Sequence, residues 1–455
     1  MNKHYHLIGI GGIGMSGIAQ LLLSCGIKVS GSDLKENKVT ASLRRSGAII
    51  YLGHNASNIG DANAVVHSSA IKDDNPELIQ AKKSGIRLIK RAEALAELMQ
   101  NKNVITVSGS HGKTTTTSLV SCLLLEAGLF PTVAIGGILN NIGTNACLGR
   151  GELFVAEADE SDGSFLYYQP KYSIITNIDR EHLDYYGSFE SEINSFREFI
   201  NRTVKGGCVF ACSDDINLKN ILRDYKGKYV LFGLNAGAHI YPKNISFQGL
   251  SSEFDCFYKD KLVDRFSLAL GGMHNISNAL SVIALGIELG IDSEFIKKAL
   301  SGYKGSGRRL ETKFSSPEYI VIDDYAHHPT EIQATLKAVR ELKRRRVLAV
   351  FQPHRYTRTQ LLLEEFSQSF EDVDYLIITD IYAASEPEIE GVNANLLCER
   401  IKQRCKSKEV RYIPKEKIVE HLLMILRPED LVITLGAGDI VKVSDELAEE
   451  LKSKS

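Results

Sequence analysis

Two glycine-rich segments constrain the fold of this chain most, because each follows an apolar run and precedes a helical pattern. The first, Gly9-Ile10-Gly11-Gly12-Ile13-Gly14, joins the run HYHLIGI to the segment MSGIAQLLLSCG. The second lies within VSGSHGKTTTT at residues 107–117 and joins NVITV to TTTSLVSCLLLEAG. A strand, a glycine turn and a helix form the βα unit of parallel α/β sheets, where the helix N-terminus can bind an anion. The sequence therefore predicts an α/β fold with two anion sites.

Alternating strand and helix patterns divide the 455 residues into three domains. Residues 1–101 predict a Rossmann-like N-terminal domain, and residues 102–312 predict a central P-loop-type ATPase domain. Between about 229 and 271 the pieces YVLFG, IYPKNISFQ, EFDCFYK and DRFSLAL follow one another without helices, which predicts a small antiparallel flap. Residues 313–455 alternate cleanly again and predict a Rossmann-like C-terminal α/β domain.

Charge and cysteine usage narrow the function classes. Lys and Arg total 54 against 56 for Asp and Glu, so no excess charge favours nucleic acid or an anionic membrane. The eight cysteines form no C-x-x-C pair, which indicates a reducing compartment and argues against structural zinc. The N-terminus runs directly into a strand and has no signal-peptide pattern. We expect a cytoplasmic protein without nucleic-acid or membrane partners, and the sequence leaves its oligomeric state open.

The first glycine segment fits the pattern G-x-G-x-x-G, and Asp33 follows about 20 residues later at the end of the next predicted strand. In this pattern the backbone N–H groups face a diphosphate, and the acidic side chain binds ribose hydroxyls. Taken alone, the segment indicates an NAD-dependent oxidoreductase. A UDP-sugar offers the same diphosphate and ribose, and a purely structural glycine turn is a further alternative.

The second glycine segment departs from G-x-x-x-x-G-K-[ST], because position 107 is Val. Lys113 and Thr114 nevertheless open a helix, where a lysine can hold phosphates and a hydroxyl can bind Mg²⁺. Glu157 ends the apolar run ELFVAE, and His182 follows the run YSIITN. Because the carboxyl ends of such strands meet at the ligand crevice, we expect Thr114, Glu157 and His182 to bind Mg²⁺ beside ATP. The alternative is that the acids are solvated loop residues and His182 is a hydrogen-bonded loop imidazole.

The order of several motifs resembles the Mur ligases, the ATP-dependent enzymes that form amide bonds in peptidoglycan precursor synthesis. These motifs are GSHGKTT, AEADESD, NIDREHLD, the H-N-x-x-N of GGMHNISNAL, RRLE after a Gly-rich turn, and DDYAHHPTE. The likeness spans essentially the whole chain. GIGGIGMSGIA, DDYAHHP and HRYTRT are most similar to the member that joins L-alanine to UDP-N-acetylmuramate. A sister ligase that attaches a recycled peptide to the same sugar nucleotide stays an alternative, because the sequence does not measure the acceptor site.

The resemblance implies that the first loop binds the UDP diphosphate and the second binds ATP. In the implied reaction the lactyl carboxylate attacks the γ-phosphate of ATP, and the amine of L-alanine then attacks the resulting acyl phosphate. The implied catalytic residues are Lys113, Glu157, His182 and Arg309. The implied ATP ligands are Gly109, Ser110, His111, Gly112, Lys113, Thr114, Thr115, Asn275, Asn278, Arg309 and Asp324.

Two further ligand sets follow from the same resemblance. The UDP-sugar would contact Gly11, Gly12, Ile13, Gly14, Ser32, Asp33, His67, Ser68, Ser69, Asn141, Thr144 and Asn145. The amino acid would contact Tyr325, His327, Arg355 and Arg358. Structural alternatives stay open: Asn275 could cap the following helix, Arg309 could form a surface ion pair, and Arg and His are common in loops.

Overall fold

The computed structural model describes residues 3–384, 386–404 and 409–454, apart from the side chain of Asp184. Its strands form three sheets of five, ten and six strands. The chain divides into two compact units. The first unit contains the residues up to Lys243 together with Asp255–Phe266 and Ser277–Lys304. The second unit contains Asn244–Phe254, Ser267–Ile276 and the residues from Gly305 onward.

The five-stranded sheet is parallel throughout and has the order β3-β2-β1-β4-β5. Its strands are β1 His4–Ile8, β2 Lys28–Asp33, β3 Ile49–Leu52, β4 Ala64–His67 and β5 Arg87–Lys90. Its helices are α1 Ile13–Ser24, α2 Lys38–Arg45, α3 Pro76–Lys83 and α4 Arg91–Leu98, with a 3₁₀ turn at Ala56–Ile59. Every residue of the central strand β1 is buried, as expected for a parallel sheet covered on both faces. This is the predicted strand–glycine-turn–helix arrangement around the first loop.

The ten-stranded sheet has the order β15-β14-β13-β12-β11-β10-β6-β9-β7-β8. Its strands are β6 Asn103–Ser108, β7 Thr132–Leu139, β8 Thr144–Cys147, β9 Leu153–Glu157, β10 Tyr172–Ile175, β11 Cys208–Cys212, β12 Lys228–Phe232, β13 Ile240–Gln248, β14 Ser251–Tyr258 and β15 Lys261–Leu268. The helices are α5 Lys113–Glu126, α6 Leu183–Tyr186, α7 Phe189–Asn201, α8 Ile216–Arg223, α9 Met273–Glu288 and α10 Ser293–Ser301, with a 3₁₀ turn at Ser164–Tyr167. In this sheet β6 lies between β10 and β9 and is parallel to both. The ends of β6, β9 and β10 therefore bring the second glycine loop, Glu157 and the segment leading to His182 to one edge.

The predicted antiparallel flap is partly wrong. The piece YVLFG forms β12, which pairs in parallel with β11 and so extends the parallel part of the sheet. Strands β13, β14 and β15 are neighbours joined by two-residue connections, which only antiparallel strands can use. The flap thus begins at β13, because the apolar run of β12 is long enough to pair with β11 before the chain turns.

The six-stranded sheet has the order β16-β17-β21-β18-β19-β20. Its strands are β16 Glu311–Ser315, β17 Tyr319–Asp324, β18 Arg346–Phe351, β19 Tyr375–Ile378, β20 Glu409–Tyr412 and β21 Asp430–Leu435. The helices are α11 Pro329–Arg340, α12 Tyr356–Leu361, α13 Leu363–Ser367, α14 Ala394–Arg404, α15 Ile418–Ile425 and α16 Val441–Lys454, with a 3₁₀ turn at Lys415–Lys417. Among the described residues of this sheet, β16 alone is antiparallel to its neighbour, and apolar clusters cover the sheet. The prediction of three α/β domains is confirmed, while the boundaries at 101 and 312 stay predictions.

Two sequence expectations concern the chain as a whole. Within the described residues, no helix has both the length and the apolar character needed to cross a membrane. The cysteines that the structure describes are all free thiols, and Cys405 lies outside the described residues.

Candidate active site

The second glycine loop, residues 109–112, leads from the carboxyl end of β6 into α5. Gly109 has a φ of +129° and Gly112 a φ of +82°, values that L side chains rarely adopt. A Cβ atom on Gly109 would lie 2.2 Å from Thr176 Oγ1, and one on Gly112 would lie 2.7 Å from Asn278 Oδ1. Both positions therefore require glycine. The loop delivers the chain to the N-terminus of α5, where the first N–H groups have no partner inside the helix.

Lys113 is the first residue of α5, and its ammonium group is held by the loop and by a buried acid. Nζ donates to the carbonyl oxygens of Gly109 (2.6 Å) and Ser110 (3.0 Å) and to Glu160 Oε1 (2.7 Å). Burial lowers the pKa of Lys113, but the carboxylates of Glu160 and Asp159 outweigh this and raise the pKa above its ordinary value. Lys113 is therefore positively charged at neutral pH and donates a hydrogen bond to the buried Glu160.

Thr114 and Glu157 meet at the ends of α5 and β9. Thr114 Oγ1 donates to Glu157 Oε1 at 3.1 Å, and the backbone N–H of Gly136 donates to Glu157 Oε2 at 2.9 Å. A Cβ atom on Gly136 would lie 2.6 Å from Glu157 Oε1, so glycine at this position makes room for the carboxylate. The structure thus brings two of the three predicted Mg²⁺ ligands into direct contact.

His182 ends the loop after β10 and begins α6 with a left-handed φ of +53°. Its Nε2 lies 3.7 Å from Glu160 Oε1 and 3.5 Å from Glu181 Oε2. The three side chains offer ligand atoms that all lie within 4.8 Å of one another, a spacing that can hold a metal ion. Glu160 therefore contacts both Lys113 and His182, and the role of His182 as a metal ligand stays a prediction.

A third glutamate, Glu192 on α7, lies in the same buried region. Glu192 is fully buried, and neither of its carboxylate oxygens has a hydrogen-bond partner among the residues the structure describes. Burial, together with the nearby carboxylates of Glu160 and Glu181, raises the pKa of Glu192 to about 8. Glu192 therefore keeps a proton at neutral pH.

The other predicted ATP ligands of this region are already engaged with protein groups. His111 Nε2 lies 2.8 Å from Asp179 Oδ2, and Ser110 Oγ accepts a hydrogen bond from the Asp179 N–H at 2.8 Å. Asn278 lies against Gly112, as described above. Asn275 Nδ2 donates to the Gly271 carbonyl at 2.8 Å, next to the first turn of α9. This contact supports a structural role for Asn275, while its contact with ATP stays a prediction.

The first glycine loop opens onto a cavity of about 660 Å³ within the first unit. The cavity extends from the loop to Glu157, the carboxylate that accepts a hydrogen bond from Thr114 at the start of α5. Eight predicted UDP-sugar ligands line it: Gly11, Gly12, Ile13, Gly14, Asp33, Ser68, Ser69 and Asn145. Asp33 Oδ2 accepts a hydrogen bond from the Gly11 N–H at 2.8 Å, and Asn145 Nδ2 donates to the Ile13 carbonyl at 2.6 Å.

Four predicted UDP-sugar ligands are absent from the described lining of this cavity. Ser32 is fully buried, and its hydroxyl donates to Glu77 Oε2 at 2.6 Å. Asn141 Nδ2 donates to the Gly302 carbonyl at 2.9 Å, and Thr144 Oγ1 donates to the Ala146 carbonyl at 3.2 Å. His67 Nδ1 lies 3.4 Å from the Ser68 carbonyl oxygen. In this structure these four side chains are engaged with neighbouring protein groups, and their contact with the UDP-sugar stays a prediction.

In the second unit, three of the four predicted amino-acid ligands gather around His354, a residue that was not predicted. The ring centre of His327 lies 5.6 Å from that of His354 and 5.4 Å from that of Tyr325. Arg358 Nη1 lies 3.2 Å from His354 Nδ1. Burial lowers the pKa of His354 to about 3, and the nearby His327 and Arg358 add to this effect. His354 is therefore neutral and available for hydrogen bonding.

Arg355, the fourth predicted amino-acid ligand, has a left-handed φ of +71°. Its Nη1 lies 3.9 Å from Glu386 Oε1. Glu386 also accepts hydrogen bonds from the Thr357 N–H (3.1 Å) and the Thr357 hydroxyl (2.7 Å) in the first turn of α12. Glu386 thus fixes the start of α12 relative to Arg355.

Arg309 and Asp324 also lie in the second unit. The Arg309 guanidinium carbon lies 5.1 Å from the centre of the Tyr325 ring, and Nη1 lies 3.6 Å from Glu331 Oε1. Asp324 accepts hydrogen bonds from the N–H groups of Leu310 (2.7 Å) and Ala326 (2.8 Å). Burial raises the pKa of Asp324 to about 6, although Arg309 opposes the shift. Their contacts with ATP stay predictions.

Comparison with protein families decides the identity of this arrangement. Residues 4–103 match the model of the Mur ligase family, catalytic domain, and residues 107–286 match the Mur ligase middle domain. Residues 308–438 match the Mur ligase, glutamate ligase domain. The chain belongs to the Mur ligase family. The predicted family resemblance is therefore confirmed over all three sheets of this Mur ligase.

Individual relatives extend this result. The Mur ligase is 47% identical over 451 residues to UDP-N-acetylmuramate–L-alanine ligase of Syntrophus aciditrophicus. The aligned residues cover 99% of this chain and 94% of the relative. It is also 47% identical to the protein of the same name from Aquifex aeolicus, over 99% of this chain and 98% of the relative. The solved UDP-N-acetylmuramate–alanine ligase of Thermotoga maritima superimposes with a TM-score of 0.85 at 29% identity, covering 99% of this chain and all of that one.

The solved murein peptide ligase of Psychrobacter arcticus superimposes with a TM-score of 0.71 at 24% identity. The match covers 99% of this chain and 98% of that one, and at this identity it supports a shared fold and nothing further.

Several site residues of this Mur ligase escaped sequence reasoning. Glu160 lies in the quoted AEADESD motif, and His354 lies in the quoted HRYTRT segment, so both signals were present without an assigned partner. Asn37 and Arg91 line the cavity but belong to no motif. Only the packing of separate elements shows that they reach the first glycine loop.

Proposed function

We propose that this Mur ligase is an ATP-dependent ligase that joins L-alanine to the lactyl carboxylate of UDP-N-acetylmuramate through an acyl-phosphate intermediate, in peptidoglycan precursor synthesis. One observation carries the proposal: a single cavity joins a dinucleotide-type glycine loop to the carboxylate beside a phosphate-type loop. At about 660 Å³ it has the size of a typical small-molecule site. A UDP-sugar bound along it would present its far end to ATP. The choice of L-alanine follows the relatives that carry this name.

Lys113 supplies the positive charge that the phosphoryl transfer requires. A carboxylate that attacks a phosphate brings two anions together, so a cation fixed at the point of charge build-up lowers the barrier. Lys113 is charged and held in place by Glu160 and by two carbonyl groups of its own loop. The N–H groups at the start of α5 add further donors for the phosphates.

Thr114 and Glu157 fit a magnesium ion. Both offer oxygen atoms, which Mg²⁺ prefers, and Thr114 Oγ1 and Glu157 Oε1 already lie 3.1 Å apart. A bound Mg²⁺ would offset negative charge on the phosphates. Gly136 fixes the other carboxylate oxygen of Glu157 through its N–H group, which orients the acid toward Thr114.

The cluster around His354 suits a short amino acid. Arg355 and Arg358 offer guanidinium groups that match a carboxylate in geometry and charge. His327 offers a ring nitrogen for the amine, and Tyr325 adds an aromatic wall. His354 Nδ1 accepts the hydrogen bond from Arg358 and so holds that guanidinium group in place. A pocket of this kind discriminates methylene-sized differences by only about 1–3 kcal/mol, so we expect measurable activity with glycine or L-serine.

The test is phosphate release measured with ATP, Mg²⁺, UDP-N-acetylmuramate and a panel of amino acids, dipeptides and tripeptides. We expect release to require all four components together, with L-alanine as the best acceptor by kcat/KM. Mass spectrometry of the product should show UDP-N-acetylmuramoyl-L-alanine.

Two outcomes would contradict the proposal. A tripeptide preferred over L-alanine would favour the peptide-attaching sister ligase. Binding of NADH, followed by cofactor fluorescence and displaced by UDP, would favour the oxidoreductase interpretation of the first loop.

A further inference from the structure

One acidic side chain of the second unit lies between two residues that the sequence assigned to different substrates. Glu331 is in the first turn of α11, and the sequence assigned it no ligand. Its Oε1 lies 3.6 Å from Nη1 of Arg309, an expected ATP ligand. Its Oε2 accepts a hydrogen bond from the backbone N–H of His327, an expected amino-acid ligand, at 3.1 Å. One carboxylate therefore contacts an expected ligand of each substrate.

Arg309 and His327 are also joined through a second route, the ring of Tyr325. The Arg309 guanidinium carbon lies 5.1 Å from the centre of this ring, within the range of a cation–π contact. The His327 ring meets the Tyr325 ring edge-on, with 5.4 Å between the ring centres. Glu331, Arg309, Tyr325 and His327 thus form a closed ring of contacts. Displacement of one side chain in such a ring disturbs the contacts of its neighbours.

Glu331 also restricts how the His327 ring forms hydrogen bonds. The Nδ1 atom of His327 lies 3.1 Å from the carbonyl oxygen of Tyr325 and 3.3 Å from Glu331 Oε2. Both of these neighbours are acceptors, so Nδ1 carries the proton of the neutral ring and Nε2 has the lone pair. The ammonium group of an amino acid is a donor. This tautomer is therefore the one whose Nε2 can accept a hydrogen bond from it.

The structural role of Glu331 is that of a helix cap. Its Oε2 accepts a hydrogen bond from the backbone N–H of His328 at 3.4 Å, which closes a capping box at the start of α11. Glutamine serves equally well at this position of a capping box, because the box requires a side-chain oxygen and no charge. The contact of Oε1 with Arg309, in contrast, depends on charge. Glu331→Gln therefore separates the two roles.

We propose that Glu331 is a positioning residue that fixes Arg309 relative to His327 and so couples the binding of ATP to the binding of the amino acid. Through this coupling, occupation of either residue by its substrate favours the arrangement that the other residue needs. The proposal rests on the proposed function for the identity of the two substrates, ATP at Arg309 and L-alanine at His327.

The test measures steady-state phosphate release by Glu331→Gln, with ATP and L-alanine varied separately. We expect kcat/KM for each substrate to fall about ten- to a hundredfold, because small misplacements of binding groups have effects of this size. The melting temperature should change by less than about 2 °C, since the cap is retained. Glu93→Gln is the matched control, because Glu93 Oε2 accepts the Lys90 N–H at 2.8 Å in the capping box of α4. It should leave both kcat/KM values unchanged.

Double variants test the coupling itself. In a His327→Asn background, Glu331→Gln should have little further effect on kcat/KM for L-alanine, while its effect on kcat/KM for ATP persists. In an Arg309→Lys background the pattern should be reversed. Titration calorimetry with a non-hydrolysable ATP analogue follows the nucleotide without turnover. Binding of the analogue should weaken in Glu331→Gln, whereas UDP binding should stay the same.

Either of two results would overturn the assignment. One is a Glu331→Gln enzyme with the kcat/KM values of the wild type, which would leave Glu331 as a helix cap alone. The other is that Glu331→Gln and His327→Asn have independent, additive effects on kcat/KM for L-alanine.

Failure of the proposed function gives a different pattern from failure of this inference. If the protein uses another acceptor, and Glu331→Gln lowers kcat/KM for that acceptor and for ATP, the proposed function fails and the assignment of Glu331 stands. If L-alanine is the acceptor and Glu331→Gln is as active as the wild type, the proposed function stands and this inference fails.

Discussion

The two glycine loops of the first unit use glycine for different physical reasons. In the second loop, Gly109 and Gly112 adopt positive φ values, so the backbone conformation itself requires glycine. In the first loop, Gly11 and Gly14 leave space for other side chains: Asp33 would lie 2.8 Å from a Cβ on Gly11, and Arg91 would lie 3.0 Å from one on Gly14. Gly9 of the first loop also has a positive φ, +73°. The loops therefore differ at Gly11 and Gly14, which need glycine for contact alone, whereas Gly109 and Gly112 need it for both φ and contact.

The loops also differ in the source of their cation. The second loop carries its own cation, Lys113, whereas the first loop faces Arg91 from a different element. The two cations are held by consecutive acids, Arg91 by Asp159 and Lys113 by Glu160. One acidic segment after β9 thus serves both loops, so a change at either site alters the charge next to the other.

The largest effect should come from the cation inside the second loop. We expect Lys113→Ala to lower kcat/KM for ATP by about a thousandfold or more, because the transferring phosphoryl group loses its fixed positive charge. Steady-state phosphate release measures this effect. UDP binding, measured by calorimetry, should change less than threefold.

Lys219→Ala is the matched control, because Lys219 is an exposed lysine on α8 of the same unit. An active Lys113→Ala enzyme with a normal melting temperature would show that the second loop does not hold the reacting phosphate. A large loss of UDP binding in the same variant would instead show that Lys113 also acts on the ligand of the first loop.

A smaller effect should distinguish two reasons for glycine in the second loop, the strain of a positive φ angle and the contact of a Cβ atom with a neighbouring side chain. Gly112 (φ +82°) and Gly26 (φ +74°) have similar backbone conformations, but only Gly112 has a neighbour that a Cβ atom would meet. Gly26→Ala should cost about 1 kcal/mol of unfolding free energy from left-handed strain. Gly112→Ala should cost roughly 2–3 kcal/mol and raise the KM for ATP, because Asn278 must also move. Denaturant unfolding and steady-state kinetics measure the two effects.

The double variant Gly112→Ala with Asn278→Ala sharpens this comparison. Removing Asn278 relieves the contact, so the extra cost of Gly112→Ala over Gly26→Ala should largely disappear. Equal destabilisation by Gly112→Ala and Gly26→Ala would mean that the loop requires glycine for its φ angle alone.

Much of this organisation was readable from the sequence because it depends on local patterns. The strand–glycine–helix order predicts both loops. The run ELFVAE predicts Glu157 at a strand end, and the run YSIITN predicts a strand whose following loop carries His182, since parallel strands align their carboxyl ends. The motif resemblance extended this to residues far apart in the chain. Comparison with the Mur ligase models confirmed the family.

The remaining features depend on packing that the sequence does not encode locally. Arg91 reaches the first loop only because α4 packs beside α1, and the hydroxyl of the buried Ser32 donates to Glu77, a residue far away in the sequence. The strand YVLFG could have joined either the flap or the parallel sheet, since its apolar run suits both. A pattern predicts that an element exists, while its partner is decided by the whole chain.

The smallest predicted effect compares buried acids near the two loops. Burial raises the pKa of Glu77, but hydrogen bonds from His6, Ser32 and Asn58 outweigh this and hold the pKa below its ordinary value. No side-chain hydrogen bond of this kind reaches Glu192 from the described residues, and its pKa is raised to about 8. Glu77 therefore stabilises the fold above its unfolded pKa and loses this contribution as the pH falls. The contribution of Glu192 has the opposite pH dependence, because the folded protein retains a proton on Glu192 that the unfolded chain releases.

The contribution of Glu192 to stability is therefore lost as the pH rises from 4.5, the ordinary pKa of a glutamate, toward about 8, its pKa in the folded protein. Glu192→Gln removes the cost of ionising this buried acid. The substitution should therefore be more favourable to the unfolding free energy at pH 8 than at pH 5, by on the order of 1 kcal/mol. Glu77→Gln should lower the unfolding free energy at pH 8, because it replaces a carboxylate that accepts several hydrogen bonds. Urea unfolding at pH 5 and pH 8 measures both variants. If Glu192→Gln destabilised the protein equally at both pH values, the acid near the second loop would be hydrogen-bonded as fully as Glu77, and this difference between the loops would disappear.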